Sequence, residues 1–280
     1  MSPRAAALAA GLTGGLIELR LAFTGAALVG QLFWPVIALV ALWRLEDLTV
    51  AATSLHLGPL VLPGLLGMFV AFGTVLTAQY LPSDREDGTL LRALATPHGI
   101  AGHLAGRLFT ASATVLAYLV MIAVPGLLIV KGLTLQDLSW TRLAWVLGLG
   151  LLASQLLGAA LGSLVPTPRA TGYVSLPIMA LTAVSGIFYP ITALPGWAQA
   201  VGQAFPIYWL GLGMRSAMLP DNAAIAELSG TWRPGTTAAV LAAWTLAGLV
   251  AAPLVLRRMA LRGSGARLAE RHDKLPGQDV

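Results

Sequence analysis

Long uncharged runs alternate with short charged stretches along this chain. About 20 apolar residues suffice to cross the hydrocarbon core of a bilayer. Six such runs can be drawn: about Ala22 to Trp43, Leu57 to Leu81, from beyond Arg107 to near Val130, Leu143 to Val165, Ala170 to about Tyr189, and Pro234 to Leu256. The expected fold is therefore an all-α integral membrane protein with six transmembrane helices, residues 22–257 forming the six-span domain. Before it, Leu8, Leu12, Leu16 and Leu19 recur at helical spacing within residues 1–21, which predicts an N-terminal interfacial helix. A cleaved signal peptide is the rival reading there. From Ala170 to Met214 there is no acid, Lys or Arg, a run too long for one span. Pro190, Pro195 and Gly196 punctuate it, and Trp197, Val201 and Phe205 follow at i, i+4 and i+8. We expect residues 190–215 to dip into the outer leaflet and return, with Tyr208 and Trp209 in an interfacial belt. Residues 258–280 read as a basic tail.

Composition narrows the function classes. Of 280 residues, 57% are hydrophobic and 10% charged, against roughly 25% charged in soluble domains. There is no cysteine, which removes disulfides, thiolate catalysis and cysteine metal sites. The net charge of +5 is topology information in such a chain, not affinity for nucleic acid. Of the 17 Lys and Arg residues, twelve fall on one side of the six-span layout: Arg4, Arg20, Arg85, Arg92, Arg107, Arg169 and the six tail cations. The positive side is cytoplasmic, so both termini and the stretch from Ser83 to Pro97 are expected inside.

That stretch, SDREDGTLLRALATP, is the densest charge cluster before the tail. Ser83 and Glu86 have capping-box spacing, and Asp84, Glu86 and Asp87 would lie in a first helical turn, where the dipole favours acids. Leu90, Leu91 and Leu94 would make one apolar patch, and Thr96-Pro97 would end the helix. Gly88 inside it would cost about 1 kcal/mol relative to Ala.

Asp84-Arg85-Glu86-x-Gly88-Thr89-Leu90, with Leu94 and Thr96-Pro97, resembles the first cytoplasmic loop of type-2 ATP-binding-cassette (ABC) exporter permeases. Asp84 stands where that family has its first Glu, and Leu91 where it often has a later one. Ser185-Gly186-Ile187-Phe188-Tyr189-Pro190, Leu194-Pro195-Gly196-Trp197, Phe205-Pro206 and Arg215 resemble the family's fifth-span and outer-helix pattern. The resemblance, closest in kind to daunorubicin-resistance-like multidrug efflux permeases, implies a non-enzymatic permease subunit in a bacterial or archaeal plasma membrane. It implies that residues 83–97, including Ser83 and Asp87, form a coupling helix seated on an ABC ATP-binding subunit. It also implies pairing with a second copy or a homologous permease, and alternating access for a small-molecule substrate. ATP and Mg would be held by the partner subunit, with no cofactor in this chain and no nucleic acid involved.

The residues reach a compatible conclusion separately. No acid, Lys, Arg or His sits mid-span, whereas ion-coupled transporters usually place such groups there. No Gly-x-x-x-x-Gly-Lys-Ser/Thr loop is present to hold ATP phosphates. His98 and His103 lack neighbouring ligands and read as solvated interfacial residues, not a metal site. Ser185-Gly186 has no intramembrane base for protease chemistry. Three readings remain: an exporter permease, a lipid-modifying membrane enzyme and a passive scaffold. Small hydroxyls such as Thr74, Thr77, Ser154 and Thr182, with 7% aromatics, favour a hydrophobic drug over lipid or glycan as cargo.

Overall fold

The computed structural model describes residues 3–49, 56–95, 99–134, 136 and 138–273. Among them the α-helices are α1 (Pro3–Ala22), α2 (Gly25–Leu45), α3 (Leu57–Glu86), α4 (Thr89–Leu94), α5 (Gly99–Ile129), α6 (Trp140–Leu164), α7 (Gly172–Ala183), α8 (Gly196–Ala204), α9 (Pro206–Met218) and α10 (Pro234–Asp273). Short 3-10 turns precede α7, α8 and α10. The protein is an all-α membrane protein. Among the described residues, five helices are long and apolar enough to cross a bilayer: α2, α3, α5, α6 and Pro234–Ala252 of α10.

The fifth expected span differs. Its helix, α7, has 12 residues, about 18 Å at ~1.5 Å per residue, short of a core about 30 Å thick. Ser185 turns its hydroxyl back onto the Leu181 carbonyl, and Gly186 then takes φ +62°. That left-handed conformation suits glycine, and it turns the chain after the helix has ended at Ala183, where Val184 leaves helical geometry at φ −97°, ψ 4°. At the other end of the chain, α10 runs from the last span into the basic tail as far as Asp273.

α3 is the central post. It packs against α2, α5, α6, α7 and α9, and Leu62, Leu65, Phe69 and Val70 along it are buried. Lipid tails are as apolar as leucine, so helix association here depends on close van der Waals fit. Small residues supply that fit. A Cβ on Gly67 would lie 2.7 Å from Gly211 N in α9. One on Gly162 of α6 would lie 2.6 Å from the Ala78 carbonyl of α3, the carbonyl to which Pro82 can offer no N–H. Gly158-x-x-x-Gly162 is thus the α3–α6 seam within one subunit. α1 lies along α5 in the same manner, Gly11 and Gly15 meeting backbone or side chains at Gly102, Gly106 and Thr110.

α8 and α9 are separated by Phe205 alone. α8 buries Ala198 and Gly202 and exposes Trp197 and Val201. The Phe205 ring stacks on Trp244 of α10 at 5.8 Å. α9, started by Pro206, is buried along its whole length. Tyr208 and Trp209 are consequently core residues, not the interfacial belt expected from their composition.

Candidate functional site

The charged stretch is divided differently from its sequence pattern. Ser83, Asp84, Arg85 and Glu86 are the last turn of α3, not the first turn of a new helix. Ser83 does not cap; its hydroxyl donates to the Gln79 carbonyl at 3.1 Å. Asp87 and Gly88 form the turn, and α4 begins at Thr89. Gly88 has φ +68° with open space around its α-carbon, so it enables the reversal and does not weaken a helix. Leu90 is buried against the bundle, whereas Glu86, Asp87 and Arg92 are exposed. Leu94 lies in α4, and Thr96, Pro97 and His98 lie outside the described residues.

Two members of the charged run anchor it. Asp84 is fully buried. It accepts from His103 Nε2 at 2.8 Å and from Arg107 Nε at 2.9 Å, and pairs again with Arg107 Nη2. Arg107 continues the chain of charge to Glu18 in α1, while its guanidinium lies 5.0 Å over the Tyr80 ring. An acid in the final turn of a helix opposes the dipole; here a cation and an imidazole compensate it. Arg85 turns the other way and donates to the carbonyls of Val165 at 2.7 Å and of Gly162 and Ser163 at 3.4 Å. It therefore caps the C-terminus of α6 with positive charge. The turn before α4 is fastened to α1, α5 and α6 at once.

A second charged cluster lies at the other end of α3. Arg215 of α9 and Glu227 are each 3% exposed, with Nε 2.7 Å from Glu227 Oε1, although that N–H is not aimed for a hydrogen bond. Arg215 Nη1 donates to the Gly186 carbonyl at 3.1 Å. Tyr208 donates to Glu227 at 3.4 Å and accepts from Arg233 at 2.6 Å. Arg233 holds φ +45°, unusual without glycine, with its guanidinium 4.9 Å over Trp209. These residues tie the Gly186 turn to α9 and to the loop before α10. Of the outer-segment residues expected from sequence, Ser185, Gly186, Arg215 and Pro206 are buried in this region. Trp197 and Pro195 are exposed, and Phe188, Pro190, Leu194 and Phe205 are half-buried.

Beside the Gly186 turn runs a groove of about 280 Å³ between α2, α3 and α7. Trp34, Phe69, Phe72, Met179 and Phe188 line it. Its two hydroxyls are already committed: Thr182 donates to Ile178 O at 2.8 Å, and Tyr189 to Ala183 O.

A family model described as ABC-2 family transporter protein matches residues 45–254. The chain belongs to that family. No curated protein matches it. The matched segment of this ABC-2 protein contains the α3–α4 turn, the groove-lining parts of α3 and α7, and the Arg215 cluster; α1, with Glu18, lies before it.

Sequence reasoning missed several residues of the ABC-2 protein's two clusters. His103, read as solvated, is the partner of a buried acid. Arg107 and Glu18 went unassigned, though a 19-residue separation of Asp84 from His103 across a helical turn-around was the available signal. Arg215 was part of the expected outer-helix pattern, but nothing in the sequence spacing marks Glu227 as its buried partner.

Proposed function

We propose that this chain is the membrane subunit of an ATP-driven exporter that moves a hydrophobic or amphiphilic drug-sized molecule from the inner leaflet or cytoplasm. The observation that carries the substrate class is the α2–α3–α7 groove. It is walled by aromatic and thioether side chains, and its hydroxyls already serve the backbone. Aromatic faces alone would suit a sugar ring. A glycan's many hydroxyls, however, would find only the Thr182 and Tyr189 oxygens and the Trp34 indole as polar partners there, and polar groups left unpaired in an apolar site are costly. A lipophilic molecule meets no such penalty.

In this reading the α3–α4 turn seats on a separate ABC ATPase, exposing Glu86, Asp87 and Arg92 to it. Asp84 and Arg85 carry its displacement into α1, α5 and α6. ATP and Mg belong to the ATPase. Two permease chains enclose the pathway, as a homodimer or with a homologous permease. The α8–α9 segment enters and leaves the outer leaflet, and both termini face the cytoplasm of a bacterial or archaeal cell.

Expression with the cognate ATPase in a drug-sensitive host tests this. Resistance to lipophilic drugs such as anthracyclines is expected, lost when the ATPase is inactivated and reduced by Ala41→Trp, which fills the groove. Absence of resistance, with a surface-glycan defect on deletion in the native host, would overturn the substrate assignment.

A further inference from the structure

A second groove, of about 340 Å³, opens between α5 and α6 at the end of the bundle where the 131–139 connection lies. Val120 and Val124 of α5, Leu143 and Leu147 of α6, and Met214 and Met218 of α9 line it. It shares no residue with the α2–α3–α7 groove. Apart from Thr134 and the Trp140 indole, its lining is hydrocarbon and thioether. Val124 is 57% exposed and Leu128, one turn on, 84%, so the groove opens toward the bilayer's hydrocarbon.

The mouth carries paired charges. Arg142, between Trp140 and Leu143 of the lining, lies 3.5 Å from Asp221 and donates to the Ser216 carbonyl at 2.9 Å. Lys131, two residues before lining residue Leu133, lies 3.4 Å from Asp47 and 3.8 Å from Glu46. Trp140 is 65% exposed, as tryptophans at headgroup depth are. We infer that this groove holds one acyl chain of a zwitterionic phospholipid, its phosphate on Arg142 and its ammonium on Asp221. Among the described residues, the exposed acids at the mouth, Asp221 and Asp47, match the cations Arg142 and Lys131, and the buried Glu46 adds a further negative charge behind them. An anionic headgroup therefore gains little there, while a zwitterion matches both signs. The Arg142–Asp221 and Lys131–Asp47 pairs are solvent-exposed and weak, so exchanging the former for headgroup contacts is easy, whereas Glu46 is buried.

The test is lipid retention by the purified full-length chain, read by native mass spectrometry after incubation with palmitoyl-oleoyl phosphatidylethanolamine or phosphatidylglycerol. The chain should keep at least fivefold more of the former. Ala123→Trp, which fills the groove, should remove the preference; Leu116→Trp, at the opposite end of the lining, serves if the first variant folds poorly. Asp221→Lys should reverse the preference toward phosphatidylglycerol. Equal retention of both lipids would overturn the inference, as would a preference that survives all three substitutions. Dissociation of a dimer by Ala123→Trp without change in bound lipid would assign the groove to a second copy and overturn it as well.

Discussion

Arg107→Met tests whether the α3–α4 turn is anchored as its geometry says. Asp84 is fully buried, and Arg107 contacts both of its carboxylate oxygens. Removing the guanidinium leaves the acid with His103 alone. Breaking a buried ion pair by deleting one partner costs about 3–5 kcal/mol, because the remaining charge is uncompensated. Asp84→Asn, which strands Arg107 instead, should cost less, since Arg107 retains Glu18 and the Tyr80 ring. The double variant removes both charges and should be more stable than the sum of the single losses by roughly 1–3 kcal/mol. Glu18→Gln separates the outer link of the chain. Glu18's side chain is 44% exposed, so its loss should cost only ~0–1 kcal/mol. Equilibrium unfolding in mixed dodecyl maltoside–dodecyl sulfate micelles measures all four. Additivity of Asp84→Asn and Arg107→Met within about 0.5 kcal/mol would show that the two do not act as a buried pair.

Gly158→Leu should abolish folded yield in fluorescence-detected size exclusion, because its Cβ would press into the Thr74 carbonyl of α3, while Gly148→Leu in the same helix, with open space around it, should be tolerated. Glu227→Gln should destabilise the protein by about 3–5 kcal/mol by leaving Arg215 unpaired in the core, and Glu227→Gln/Arg215→Met should recover part of that in the same unfolding assay. Arg85→Ala should release the last turn of α6, whose carbonyls it holds, and so speed hydrogen exchange there with little effect on the middle of that helix.

The membrane class and the crossings α2, α3, α5, α6 and α10 were legible because hydrophobic run length reports directly on bilayer thickness. The break in the fifth crossing was less legible. Its sequence stays uncharged through Tyr189, yet the helix ends at Ala183 and the chain turns through Gly186 at φ +62°, which hydropathy does not announce. The charged stretch misled for a related reason. Ser83 and Glu86 have capping spacing, but α3 does not end at the last apolar residue, and it carries Leu81, Pro82 and Ser83 on to Glu86. Once α3 is extended by that turn, Asp84 swings from solvent into the bundle. Tyr208 and Trp209 show the same limit: interfacial composition is shared by residues that are buried under a neighbouring loop and by those that meet headgroups. Gly158 and Gly162 let α6 approach the α3 backbone closely, a fit that shows only once the two helices are packed together.

Gly88→Pro addresses the central claim most directly, that ATP hydrolysis is coupled through the α3–α4 turn. Proline fixes φ near −65° and has no N–H, whereas Gly88 holds φ +68° and donates to the Arg85 carbonyl at 3.3 Å. The turn faces open space, so the variant should still insert and assemble. The measurement is substrate-stimulated ATP hydrolysis by the native and variant chains, each co-purified with the ATPase and reconstituted in liposomes. Coupling through this turn predicts loss of the stimulation with basal hydrolysis retained; stimulation equal to that of the native chain would contradict it.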